Sequence, residues 1–413
     1  MGKAEEIIRL ERACCPPTYE PMPVVLRQAK GCWAWDTEGK KYLDMSSAFS
    51  AVSHGHSHPK LVSVLKKQAE LLSLTSRAFH TEYLGLLCEK ICDLTGQDLC
   101  ITMNTGAEAV ETAIKAIRRW AYRVKMVPAD QAEIIVAAGN FHGRTTTVIS
   151  FTSEEKYKKD FGPFTPGFKI TPFGDAKEVE RAITSNTCAV LVEPIQGERG
   201  IIVPPHAYFK NLADICKKHR ILLILDEIQS GLGRTGKMFG FQHEGIRPDG
   251  IILGKALGGG LYPVSAFAAR REVLEVLDLG SHGSTFSGNP LGSKIALTAL
   301  ELLEEEGLIE NAEHMGNYLI KELKKICKDS PLVREIRGRG LWVALDLHKH
   351  LLPARKFCEK LLEKGVLTKD THGTVIRLSP PLTITKEEID FALEQIKETL
   401  QYFENKKGGS NAA

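Results

Sequence analysis

No pair among the ten cysteines has CxxC spacing, and no apolar run approaches the roughly 20 residues that cross a bilayer. Net charge is only +3, too small to imply a nucleic-acid or membrane surface. A GxSxG nucleophile elbow is absent. The phosphate-binding pattern GxxxxGK[ST] is absent too: Gly250 to Lys255 is one residue short, and Ala256 replaces the hydroxyl residue. The N-terminus lacks the apolar stretch of a secretory signal, and its glutamates argue against an organellar transit peptide. These absences exclude a disulfide framework, a P-loop nucleotide site and an elbow-type hydrolase. They point to reduced thiols in a cytoplasmic setting.

What is present is ordinary in bulk and specific in detail. The 413 residues are 43% apolar and 25% charged, enough for a large domain and a smaller one. Residues 1–48 hold a short polar helix, a Pro-rich stretch and a hairpin turning at Asp36 to Gly39. From 49 to 290, apolar strands at 134–137, 189–192, 221–225 and 250–253 alternate with helices such as 108–122 and 208–218. That alternation predicts an α/β domain with a mostly parallel sheet. Residues 291–405 read as a smaller α+β domain, with helices at 293–305, 310–327, 353–364 and 386–403. Strands are expected there at 333–340, 341–347 and 375–378. Residues 406–413 read as a disordered tail.

The run Ile221-Leu-Leu-Ile-Leu225 ends in Asp226, and the strand 250–253 leads into Gly254-Lys255-Ala-Leu-Gly258-Gly-Gly260. Buried parallel strands deliver ligand-binding groups at their carboxyl ends, and the glycines admit a planar ligand close to the amine. A lysine able to form a Schiff base and an aspartate able to hold a protonated pyridine nitrogen suit pyridoxal phosphate chemistry. Asn104-Thr105-Gly106-Ala107 opens a helix. Alone it reads as an ordinary capped helix; beside Lys255 and Asp226 it gains weight as an anion site. His54, His56 and His58 invite a metal reading, but Gly55 and Pro59 mark a loop and no acidic or cysteine ligand is near in sequence. No metal is expected. Arg377 lies inside an apolar strand and needs a carboxylate partner, for which Glu198 is the candidate. Arg144 follows the strand 134–137.

The segments Met103-Asn-Thr-Gly-Ala-Glu108, Val192-Glu-Pro-Ile-Gln-Gly-Glu198, Leu225-Asp-Glu-Ile-Gln-Ser-Gly231, Gly254-Lys-Ala-Leu-Gly258, His282-Gly-Ser-Thr-Phe286 and Thr371-His-Gly-Thr-Val-Ile-Arg377 carry a resemblance. The chain resembles the class III, fold-type I pyridoxal-phosphate aminotransferases from about Tyr19 to the last helix. Leu74-Thr-Ser-Arg-Ala-Phe79, Phe161-Gly-Pro-Phe-Thr-Pro-Gly-Phe168 and the segment Thr371–Arg377 favour the branch that acts on ornithine. The resemblance implies a seven-stranded-type sheet flanked by helices in the large domain, with the N-terminal segment packing on the small one. It implies transfer of the δ-amine of L-ornithine to 2-oxoglutarate, giving glutamate 5-semialdehyde and L-glutamate. The alternative is acetylornithine, 4-aminobutyrate or another ω-amine as donor. Rivals of other classes are a catalytically silent binding protein on the same fold and a metalloprotein built on the three histidines.

For the residues, the resemblance implies Lys255 as the Schiff-base lysine and Asp226 against the pyridinium nitrogen. Gln229 meets the phenolic oxygen, Phe141 stacks on the ring beside His142, and Thr105, Gly106 and Ala107 take the phosphate. Ser284 and Thr285 complete that phosphate site from a neighbouring subunit, which implies a homodimer with shared sites. Tyr19 and Arg144 hold the α-amino and α-carboxylate end of ornithine. Arg377 takes the α-carboxylate of glutamate or 2-oxoglutarate, and Glu198 covers it during the other half-reaction. Phe49 stands where this branch usually has tyrosine, and His142 where it usually has tryptophan. Phe141-His-Gly-Arg144 is the form found in acetylornithine aminotransferases.

Overall fold

The computed structural model describes residues 2–408. Its centre is a seven-stranded sheet in the order Leu99–Met103, Ser265–Ala269, Gly250–Leu253, Leu222–Asp226, Thr187–Val192, Glu133–Ala137, Phe168–Thr171. Ser265–Ala269 runs antiparallel to both its neighbours, and the other pairings are parallel. The expected α/β architecture with a mostly parallel sheet is what forms.

The strand sequences explain the layering. Successive side chains point to opposite faces. Ile134, Val136, Ala189, Leu191, Leu222, Ile224, Ile252 and Phe267 face the helix Gly106–Arg123. That helix offers Ala109, Ala113, Ile117 and Trp120 from one stripe. Ile135, Val190, Leu223, Ile251 and Ala266 face the other way, into the core that includes the helix Tyr208–His219. Both faces are apolar because both are covered. Each fully buried Val, Leu, Ile or Phe among them contributes about 1.5–3 kcal/mol.

Two smaller sheets flank this core. Val333–Gly338, Val343–Leu347, Val375–Leu378 and Lys369–Thr371 form an antiparallel sheet that places Arg377. The expected hairpin forms from Trp33–Asp36 and Lys41–Asp44, with Leu26–Lys30 added at its edge. Val366–Leu367 pairs in parallel with Lys41–Asp44, so the N-terminal strands and the C-terminal third share one sheet. The last helix, Lys386–Gly408, takes in residues 406–408 of the expected tail, and 409–413 lie outside the described residues.

All ten cysteines are free. Among the described residues no helix is long and apolar enough to cross a membrane.

Candidate active site

Four parallel strands end at one edge of the sheet, and each delivers functional groups there. Glu133–Ala137 leads to Asn140–Arg144, Thr187–Val192 to Glu193–Glu198, Leu222–Asp226 to Gln229, and Gly250–Leu253 to Lys255. A cavity of about 200 Å³ opens among them. Gly106, Ala107, Phe141, His142, Glu193, Asp226, Gln229 and Lys255 contribute to its wall.

Lys255 has φ +46, a left-handed conformation rare for a residue with a Cβ. Gly254 before it cannot carry a side chain without crowding Ile228, whose methyl would lie 3.3 Å from an added Cβ. Burial pushes the Lys255 ammonium down to about 8; the carboxylates of Glu198 and Asp226 oppose that shift, and Arg377 reinforces it. A neutral amine is therefore within reach near neutral pH.

Asp226 is buried, and both its oxygens are engaged. The backbone N–H of Ile228 donates to Oδ1 at 3.0 Å, and His142 Nδ1 lies 2.7 Å from Oδ2. Burial alone would depress the His142 imidazole, but the bond to Asp226 and the charges of Asp226 and Glu193 together raise it. Its Nε2 is buried with no partner. Glu193 closes this cluster. Its carboxylate accepts from the N–H of Phe141 at 2.7 Å and of Gly197 at 3.3 Å, and burial pushes it up to about 7. Glu193 is not among the residues singled out from the sequence. The signal was available, since it follows a continuous apolar strand just as Asp226 does.

Thr105 caps the helix Gly106–Arg123. Its hydroxyl accepts from the Glu108 N–H at 3.3 Å, and Glu108 returns bonds to the Thr105 and Asn104 N–H groups. The first amides of a helix, here those of Gly106 and Ala107, have no intrahelical acceptor and line the cavity. Thr105 itself belongs to an adjoining cavity of about 370 Å³ that Lys255 also lines. Ser284 meets Asn104 of its own chain at 2.9 Å and Glu108 at 3.1 Å, while Thr285 is exposed. Neither lines the cavity that holds Asp226 and Lys255.

An amine, a carboxylate, an aromatic ring and a helix start converge on one slot. They match a planar, protonated heteroaromatic ring that bears an aldehyde and a phosphate. The residues fit pyridoxal phosphate.

The outer part of the site is built from arginines. Glu198 Oε1 lies 2.7 Å from Arg377 Nη1, while Arg377 Nε and Nη2 are buried without partners. Burial would raise the Glu198 carboxyl, but the charges of Arg377, Lys255 and Arg144 and the bond to Arg377 together lower it. The Arg377 guanidinium also stands 4.9 Å from the Phe49 ring centre. Phe49 is partly exposed, and its carbonyl accepts from Gln229 Nε2 at 3.3 Å. Arg144 sits among three rings: Tyr157 at 4.5 Å, Phe141 at 5.8 Å and Tyr19 at 5.8 Å. Tyr19 is otherwise exposed. Tyr157, the nearest of the three, carried no signal in the sequence.

The three loop histidines go to three separate partners. His54 Nε2 lies 2.8 Å from the Ala299 carbonyl, His56 Nε2 lies 2.8 Å from Asp44, and His58 Nε2 lies 3.1 Å from Glu306. Two of these partners are acidic: Asp44, 12 residues before His56, and Glu306, 248 residues after His58.

A family model described as aminotransferase class-III matches residues 14–400. An ornithine aminotransferase of Brevibacillus brevis is 52% identical over 404 residues, covering 98% of this chain and 100% of that protein. One from Bacillus subtilis is 52% identical over 401 residues, covering 97% and 99%. Among solved structures, an ornithine aminotransferase from Toxoplasma gondii superposes with a TM-score of 0.97 at 40% identity, covering 98% of this chain and 96% of that one. That structure is described as holding PLP at partial occupancy in its active site. An acetylornithine aminotransferase from Elizabethkingia anophelis reaches a TM-score of 0.88 at 42% identity, covering 97% and 100%.

Proposed function

This chain belongs to the class-III aminotransferases, and we propose that it moves the δ-amino group of L-ornithine onto 2-oxoglutarate, giving glutamate 5-semialdehyde and L-glutamate. The observation that carries this reading is the contrast between two arginines. Arg377 is held by Glu198, while Arg144 stands among aromatic rings with its charge available. A δ-transaminase needs that contrast, because its two substrates present carboxylates at different distances from the reacting amine.

Pyridoxal phosphate, when bound, supplies the electron-withdrawing ring on which amine and carbonyl are exchanged. Asp226 would hold the charge on its ring nitrogen, and His142, bonded to Oδ2 of that carboxylate at 2.7 Å, keeps it oriented. Gly106 and Ala107, with free N–H groups at the helix start, would take the phosphate, Phe141 would stack on the ring, and Gln229 would meet the phenolic oxygen; all four line the slot. The Lys255 amine, made less basic by burial, takes a proton from the substrate carbon and returns it. Arg144 with Tyr19 holds the α-carboxylate end of ornithine, leaving the δ-amine at Lys255. Glu198 then releases Arg377 for the α-carboxylate of 2-oxoglutarate.

A homodimer completes the reading. Ser284 and the exposed Thr285 would serve the phosphate site of a second copy, and exposed Leu71, Leu72, Phe79 and Phe286 supply apolar surface for it. The free thiols accord with a cytoplasmic location.

The test is an absorbance titration of the purified holoenzyme with L-ornithine, N-acetylornithine and 4-aminobutyrate, each without an oxo acid. L-Ornithine should convert the chromophore and yield trappable pyrroline-5-carboxylate. Conversion by N-acetylornithine instead would move the assignment to that substrate, with Phe49 and His142 as the cause. Replacing Lys255 with alanine should abolish turnover, and native turnover in Lys255→Ala would overturn the mechanism.

A further inference from the structure

The segment Ser47–Ser50 is one turn of left-handed helix. Its four residues have φ of +41, +48, +57 and +74, and none is glycine. Left-handed helix is unfavourable for every L-residue, and runs of it need outside support. The support comes from Arg234, a guanidinium with no solvent exposure. Arg234 Nη2 donates to Ser53 Oγ at 3.0 Å and Ser47 Oγ at 3.3 Å, bracketing the turn. Its Nη1 donates to the Pro380 carbonyl at 2.6 Å and the Leu341 carbonyl at 2.9 Å.

Pro380 lies three residues beyond Arg377, where the strand Val375–Leu378 leaves its sheet. The two ends of the Arg234 fork therefore hold the turn that carries Phe49 and the exit of the strand that carries Arg377. Further bonds run the same way. Ser47 Oγ donates to the Ser379 carbonyl at 2.6 Å, Ser379 Oγ to the Ser46 carbonyl at 3.1 Å, and the Ser379 N–H to the Met45 carbonyl at 2.7 Å. Gly340 makes the approach possible, since a Cβ there would meet the Arg234 carbonyl at 2.7 Å. Arg234 makes no hydrogen bond to a carboxylate. Its fixed fork is spent on carbonyls and hydroxyls, a geometry that a lysine ammonium cannot reproduce.

We propose that Arg234 is a positioning residue for substrate discrimination: it locks the left-handed turn Ser47–Ser50 to the strand exit Ser379–Pro380, and so sets Phe49 over the guanidinium of Arg377. This rests on the assignment of Arg377 to the oxo-acid carboxylate. Phe49 then limits what Arg377 admits. A turn released from Arg234 would relax toward ordinary φ values and carry Phe49 off Arg377.

The test measures the two half-reactions of the holoenzyme separately, with an amine donor and with 2-oxoglutarate, in Arg234→Lys, Ser53→Ala and Ala48→Gly. Displacing a group by about 1 Å costs up to about a hundred-fold, so Arg234→Lys should raise the KM for 2-oxoglutarate at least about ten-fold while the amine half-reaction changes by a clearly smaller factor. Ser53→Ala, which removes one hydroxyl only, should shift the same constant in the same direction by a smaller factor, and it carries the test if Arg234→Lys fails to fold. Ala48→Gly relieves the left-handed backbone and should restore the oxo-acid KM when combined with Ser53→Ala. Equal losses in both half-reactions, or a fall in melting temperature with the KM ratio unchanged, would overturn the proposal. The split is read with whichever amine the wild type accepts, so a failure of the ornithine assignment shows up separately.

Discussion

Glu198 neutralises Arg377 through a single 2.7 Å contact, while two other nitrogens of the same guanidinium are buried with nothing to bond to. The pair is incomplete by construction. A substrate carboxylate can satisfy the idle donors and gain from displacing Glu198, which a bidentate pair would resist.

Glu198→Gln should therefore weaken the cover on Arg377. A hydrogen bond to a charged group is worth about 1.5–3 kcal/mol, or roughly ten- to a hundred-fold. Freed Arg377 would compete for the α-carboxylate of ornithine and bring the α-amine to Lys255. The ratio of δ- to α-transamination should fall by a factor in that range, measured by product analysis. An unchanged ratio would show that Glu198 does not act as the cover.

The amine of Lys255 gives a pH dependence. Its folded value, about 8, lies below the ordinary 10.5. Between those values the unfolded chain binds the extra proton, so this group adds stability as pH rises from about 8 to about 10.5. In the cofactor-free protein, reductive trapping of added pyridoxal phosphate should rise with pH through a midpoint near 8. The corresponding profile of a surface lysine should lie well to the alkaline side.

Glu193 and Glu227 act in the opposite sense. Burial pushes both up to about 7 from 4.5. The folded state then holds protons that the unfolded state has lost, so stability falls as pH rises from 4.5 to about 7. His142, raised by Asp226, adds a further fall that begins only above its ordinary 6.5. Glu193→Gln should remove part of this slope, on the order of 3 kcal/mol across the window. Urea denaturation at the two ends of the window would read it.

Much of this was legible because the strands that bear the chemistry are also the most apolar. The runs ending at Asp226 and before Lys255 announce burial by composition, and their carboxyl ends locate the site. Phe168–Thr171 and Ser265–Ala269 are hard to read because their residues are polar or small and only their neighbours make them strands, whereas Leu99–Met103 is apolar enough to have been read. The Arg377–Glu198 pair could be read from the cost of burying an arginine. The left-handed turn at Phe49 could not, because Ser-Ala-Phe-Ser has no local preference for it. Tertiary bonds from Arg234 impose that shape.

The antiparallel strand Ser265–Ala269 has a consequence for the order in which the protein is made. Leu99–Met103 lies at the edge of the large sheet and touches no strand there except this one, which is synthesised about 160 residues later. Until it emerges from the ribosome, the strand that feeds the start of the helix Gly106–Arg123 has no partner in the sheet. Nascent chains that stop short of residue 265 carry an open edge, the kind of surface that recruits other chains. The helix start that lines the ligand slot is thus tied down by a late arrival, whose Ser265 Oγ donates to the Thr105 carbonyl at 2.7 Å, and chaperone demand during synthesis should peak just before it.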